Sequence, residues 1–234
     1  MLFEGIFRRP RLWSNIELRK FAPIFNGDVI NVSGAQDSDK EINNLYKYFF
    51  TRAYDVGNRY EDYFVNANNY FISNYEKDDY RGHGVLVNKS GKYINLDLNE
   101  KLPEALLQRF DVVFSHTVLE HVFDIFQAFK NLCMMSKDIV IVVVPFIQRV
   151  HDYRRVYKDY WRLTPFAVDE LFKRNGFTVL YRSSNRQFSS SIYYFYIATR
   201  KPEKWENRPE FSKSCPLNKM NLGQHVFIFS YLQL

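Results

Sequence analysis

Glycine is scarce in this chain, with 9 in 234 residues. Few positions can therefore take a left-handed backbone without a steric cost. Cysteine is scarcer still: 2 residues cannot build a disulfide framework or a four-thiolate zinc site, and they fit a reducing cytoplasm. Long apolar runs are missing. The longest, Ile139 to Ile147, falls far short of the ~20 residues a membrane helix needs. From Met1 to Arg9 the charges follow the apolar residues, the reverse of a secretory signal, so a secreted or integral-membrane protein is not expected. A concentrated basic stripe is missing too, although the formal net charge is +6. Arg8, Arg9 and Arg11, and later Arg149, Arg154, Arg155 and Lys158, are interleaved with aromatics. The surplus suits an anionic small substrate, an acidic membrane surface or, less well without a stripe, nucleic acid.

Aromatic residues are abundant: 22 Phe, 17 Tyr and 3 Trp make up 18% of the chain. Hydrophobic residues at 46% and charged residues at 25% are the ordinary globular mix, and the length suits one domain. Residues 1–26 read as a helical lead-in, with Trp13, Ile16, Glu17, Lys20 and Phe21 at helical spacing and Pro23 as the stop. Strands are expected at Asp28 to Val32, Asn69 to Ser73, Lys92 to Asp97, Asp111 to Ser115 and Asp138 to Pro145. The last is a β-branched run of the kind buried on both faces of a parallel sheet.

Helices are expected over Ile42 to Phe49, Pro103 to Gln108 and Phe123 to Met135, the last with Ile125, Phe126, Phe129 and Leu132 on one face. A further helix begins at Thr164-Pro165, with a hydroxyl at the cap and proline in the first turn, and ends at Gly176. Phe177 to Tyr181 and Ile192 to Thr199 form a hairpin around a serine-rich loop. Strands alternating with helices predict an α/β, doubly wound sheet over 27–200. Residues 201–234 read as a polar arm with Pro202, Pro209 and Pro216, ending in the apolar stretch His225 to Leu234. That tail is expected to be an edge strand or packed segment, or a contact for a partner or a membrane surface. A homo-oligomer is compatible with all of this.

In such a sheet ligands bind beyond the carboxyl ends of the strands. The first strand ends in Ser33-Gly34-Ala35, the third in Asp97-Leu98 and the fourth in Ser115-His116. Backbone N–H groups in the first turn suit a carboxylate or phosphate. An acid such as Asp97 suits an amine or ribose hydroxyls, or simply a turn.

Phe110-Asp111-Val112-Val113-Phe114-Ser115, continuing through Val118-Leu119-Glu120-His121-Val122, resembles a segment of class I S-adenosylmethionine-dependent methyltransferases. Asn95 to Pro103 is similar to that family's acidic motif, and Val142 to Phe146 to its fifth strand. Asp159-Tyr160-Trp161-Arg162-Leu163-Thr164-Pro165, with Asn175-Gly176-Phe177, resembles a branch associated with bacterial surface-sugar biosynthesis. The resemblance implies a Rossmann-like fold, S-adenosylmethionine as cofactor, and O-methylation of a sugar or phosphorylated sugar in the cytoplasm.

Carried over by position, it puts Ser33, Gly34 and Ala35 at the cofactor's methionine end and Asn74 where the ribose is held. Asp97 and Leu98 then lie beside the adenine, and Ser115 and His116 below the sulfonium. Asn31 stands at the family's acid, and Ser33, Ala35 and Asp37 at its glycines. A proton acceptor for the acceptor hydroxyl is expected at His151 or Asp152, then His116 or His121. Tyr153, Arg154, Tyr157, Tyr160 and Trp161 are expected to wall the substrate. The His116, Glu120, His121 spacing diverges by about 140° around a helix, so no metal site is expected. Two rivals remain: an inactive methyltransferase fold serving as a scaffold, suggested by the glycine-poor first loop, and a nucleic-acid methyltransferase.

Overall fold

The computed structural model describes residues 9–34, 58–75, 92–151, 157–185 and 191–220. The helix expected over Ile42 to Phe49, the candidates Ala35, Asp152, Tyr153 and Arg154, and the tail His225 to Leu234 lie outside them.

Seven strands form one sheet: β1 (Gly27–Val32), β2 (Ala67–Asn74), β3 (Tyr93–Asn95), β4 (Phe110–His116), β5 (Ser136–Ile147), β6 (Thr178–Ser184) and β7 (Ile192–Thr199). Their order is β3-β2-β1-β4-β5-β7-β6. Only β7 runs against the others, paired antiparallel to both β5 and β6. This is the doubly wound sheet with a terminal hairpin that the sequence pattern predicts. Its order reverses between β1 and β4, which makes their carboxyl ends the switch point.

Side chains leave the sheet with period two, and the two faces fill separately. On β5, Val140, Val142 and Val144 join one core while Ile139, Ile141 and Val143 join the other; on β7 the even positions Tyr194 and Tyr196 oppose the odd Phe195 and Ile197. Helices α2 (Ile125–Met135) and α3 (Pro165–Arg174) cover the first face, where Phe129 meets Phe172 edge-on at 4.8 Å between ring centroids. Helix α1 (Arg9–Phe21) covers the second, with Phe21 stacked on Phe211 at 5.6 Å. Each fully buried aromatic of this kind contributes roughly 1.5–3 kcal/mol.

The local signals are met at α3. The Thr164 hydroxyl accepts from the Ala167 amide at 3.2 Å, Pro165 occupies the first turn, and Gly176 takes the positive φ of 75° after the last turn. Two expectations need correction. Phe126 is 65% exposed rather than on the buried face of α2, because that face is met by Ile125, Ala128, Phe129 and Leu132. The helix expected from Pro103 is a single 3-10 turn over Glu104–Leu106.

Residues 202–220 wind as short helical turns against the sheet, burying Trp205 and Phe211 on one face and Cys215 and Met220 on the other. No helix among the described residues is long and apolar enough to cross a membrane.

Candidate functional site

The β1 and β4 ends lie level, since Val32 pairs with Ser115 across the ladder. Both strands then turn through the left-handed region on non-glycine residues, Ser33 at φ 56° and Thr117 at φ 51°. Each costs about 1 kcal/mol, and such strain gathers where a ligand must be approached closely. Ser33 is steadied by its amide donating to Ser73 Oγ at 3.2 Å. A Cβ on Gly34 would stand 2.3 Å from Asn31 Nδ2, so the buried Asn31 side chain fills the space under the one glycine kept in this turn.

Among the described residues, buried Asn74 Nδ2 at the end of β2 and Ser115 Oγ at the end of β4 have no hydrogen-bond partner. Native interiors leave few such groups, and one of each on a single strand edge suits a ligand that supplies the partners. Asp97 Oδ1 accepts from the Asn99 amide at 2.9 Å, so part of its carboxylate is spent on its own turn. Leu98 is buried in the core beneath it.

His116 sits deeper. Its Nε2 is 2.8 Å from Ser14 Oγ on α1, its Nδ1 is 3.2 Å from Thr117 Oγ1, and its ring stacks on Tyr60 at 5.9 Å. Burial, helped by the nearby Arg11 charge, holds its pKa well below the usual range. The ring is neutral with both nitrogens engaged, which leaves none for a reacting proton and makes His116 a clasp for α1.

A second group of side chains gathers beyond the end of β5. The His151 ring lies 5.0 Å from that of His121, and Tyr157 packs 4.3 Å from His121. His151 Nδ1 is 3.0 Å from Asp159 Oδ2, and Arg162 grips Asp159 through both oxygens at 2.5 Å. His121 Nδ1 faces the Lys158 carbonyl at 2.8 Å. His121 does not cap α2. That role falls to Asp124, which accepts from the Gln127 amide at 3.0 Å. Trp161 is pinned in the wall by its indole N–H, which donates to the Val122 carbonyl at 3.0 Å. Tyr160 stays on the rim, 44% exposed and edge-on to Phe123.

Sequence reading missed Arg11, Ser14, Glu120 as a charge, Asp159 and Arg162. The last two lay within the quoted D-Y-W-R stretch at i, i+3. Ser14, Asn15 and Glu17 form a polar stripe on α1 that is buried, at 0%, 2% and 5% exposure. Glu120 is 2% exposed with Oε2 unpartnered, and its Oε1 is 3.7 Å from His121 Nε2. Burial, with Asp159 adding repulsion, raises its pKa to about 8. The folded state holds this proton where the unfolded chain has lost it, so stability falls as pH rises from roughly 4.5 to 8, by up to ~1.4 kcal/mol per unit. Glu120→Gln should abolish that slope and melt above the wild type at pH 8, which thermal unfolding at pH 5 and 8 checks; an unchanged slope would place the titration elsewhere.

Among the described residues no group of three or more His, Cys, Asp or Glu side chains is placed to hold a metal ion.

No family model and no curated protein matches this sequence. Solved structures do. An S-adenosylmethionine-dependent methyltransferase, so assigned, of Listeria monocytogenes superposes with a TM-score of 0.51 at 11% identity, over 80% of this chain and 97% of its own. The Burkholderia thailandensis 1,6-didemethyltoxoflavin-N1-methyltransferase, solved with S-adenosylhomocysteine, gives 0.51 at 13% identity over 80% of each. This is the class I methyltransferase fold. A chain from the Haloferax volcanii complex of the Trm112 methyltransferase activator with its assigned methyltransferase scores 0.52 at 10% identity, over 85% and 92%. At such identities the shared property is the fold, whose carboxyl edge in this chain carries the site just described.

Proposed function

We propose that the chain is an S-adenosylmethionine-dependent methyltransferase that methylates a hydroxyl, on a sugar or phosphorylated sugar. The observation that carries this is the switch-point edge, where unpartnered Asn74 Nδ2 and Ser115 Oγ flank the strained Ser33-Gly34 turn. Those atoms fit the cofactor. The Ser33 and Gly34 backbone suits its methionine end, Asn74 its ribose, Asp97 and Leu98 its adenine, and Ser115 the floor beneath the sulfur. When bound, the cofactor supplies a methyl group on a positively charged sulfur.

The chain's own work is positioning and proton transfer. The acceptor must lie in line with the methyl carbon at near-attack distance, which orientation alone favours by several kcal/mol. His151, 36% exposed beside the buried core, would take the proton that the acceptor hydroxyl gives up when its oxygen gains the methyl group and the sulfur leaves neutral. Tyr157 and Tyr160 offer ring faces to a sugar, and the net charge of +6 attracts an anionic acceptor such as a nucleotide sugar. The resemblance to the surface-sugar branch supports that substrate class and a cytoplasmic site of action.

Incubation of the full chain with methyl-labelled S-adenosylmethionine and glycan precursors extracted from its own organism tests this. Label should pass to a sugar-bearing product. Transfer to nucleic acid instead would overturn the acceptor class. Cofactor binding without transfer to any fraction would favour the scaffold reading, which the single glycine of the first loop motivates.

A further inference from the structure

We infer that Asp159, clamped by Arg162, is a positioning residue that fixes the His151 imidazole in its Nδ1–H form and leaves Nε2 as the proton acceptor. The inference rests on the transferase reading for what the base serves, but its test does not depend on that reading.

Both groups facing His151 Nδ1 can only accept. One is the Arg149 carbonyl, hydrogen-bonded to it at 3.3 Å, and the other the Asp159 carboxylate, an ion-pair neighbour whose Oδ2 lies 3.0 Å away. A ring nitrogen between two acceptors must carry the hydrogen, so the lone pair resides on Nε2. Asp159 is well built for this. Its side chain is 0% exposed, and the Arg162 fork binds Oδ1 and Oδ2 in a two-point contact. The guanidinium is fixed in turn by the carbonyls of Trp161 at 2.7 Å and Arg149 at 3.2 Å. Burial alone would raise the Asp159 pKa, but hydrogen bonds from Arg162 and the His151 amide outweigh it and lower the value. The carboxylate therefore stays charged and cannot donate. An anion there also stabilises the imidazolium that forms once Nε2 has taken a proton.

A loop tie would need less. The His151 amide already donates to Asp159 Oδ2 at 3.0 Å and would hold the backbone without the ring. What a tie does not explain is an imidazole with its second nitrogen oriented and no protein partner recorded for Nε2 among the described residues.

The test is a long-range proton–nitrogen correlation spectrum of the labelled full chain, without cofactor or acceptor, at alkaline pH. His151 should populate Nδ1–H over Nε2–H by about tenfold or more, as one hydrogen bond to a carbonyl beside a close carboxylate implies. The mixed population of a free imidazole would overturn the inference. In Asp159→Asn, whose amide can turn a donor toward the ring, the preference should fall at least about tenfold. An unchanged tautomer there would equally overturn it. If that variant does not fold, the wild-type spectrum decides alone. A negative spectrum leaves the transferase reading intact, because that reading is judged by cofactor binding and label transfer.

Discussion

His151→Ala should lower the turnover number of methyl transfer by about 10²- to 10⁴-fold while leaving cofactor affinity unchanged. The loss is confined to proton transfer because His151 lies beyond β5, among His121, Tyr157 and Asp159. The proposed cofactor contacts come from the ends of β1, β2, β3 and β4. Stability should change little, since the ring is 36% exposed. Single-turnover rates on the product-forming acceptor, with calorimetry of the cofactor alongside, separate the two effects. An unaltered rate would remove His151 from the chemistry. Loss of cofactor affinity would mean that the two halves of the site are not independent.

Asp138→Ala should destabilise the fold by about 3–5 kcal/mol and lower the melting temperature by roughly 10 °C for a chain of this length. Asp138 is 3% exposed at the amino end of β5 and gathers three donors. Thr199 Oγ1 donates at 2.6 Å, Lys204 Nζ at 2.7 Å and Trp205 Nε1 at 3.1 Å. Alanine would leave the buried Thr199 hydroxyl and Trp205 indole without acceptors, and each orphan costs about 1–3 kcal/mol. Lys204, being 57% exposed, returns to water at little cost. Asp138→Asn keeps one acceptor and should lose less than half as much. Because this cluster sits at the opposite end of β5 from His151, cofactor affinity at 25 °C should be preserved in the folded fraction. A melting temperature within about 2 °C of the wild type would show that residues 201–205 do not depend on this anchor.

The fold was legible where one physical rule dominates. The β5 run is buried on both faces and so is continuously apolar, the α3 cap and stop are local, and the serine-rich loop between β6 and β7 marks a hairpin. Phe126 misled because an apolar residue beside a true core face satisfies the same periodicity, and only tertiary packing decides which one turns inward. For the candidate site, the strand ends were the legible part. They pointed to Asn74, Ser115 and His151. Its charge network was not legible, because its members meet only in three dimensions. Ser14 bonds His116 across 102 residues, and Glu17 takes the Tyr181 hydroxyl across 164. Helix α1 therefore read as a lead-in, although it supplies Arg11 and Ser14 beside the site. His116 read as an open base for the same reason.

Cofactor recognition is tested most directly by titration calorimetry of S-adenosylmethionine into the full chain, repeated on Ser115→Ala. The Ser115 hydroxyl has no partner among the described residues, so its removal should leave the melting temperature unchanged or slightly raised. The wild type should bind, and Ser115→Ala should bind about tenfold more weakly, the loss of one hydrogen bond to the ligand. No heat of binding at about 1 mM cofactor, where even a complex worth ~4 kcal/mol would register, would contradict the transferase reading and leave the fold as a scaffold.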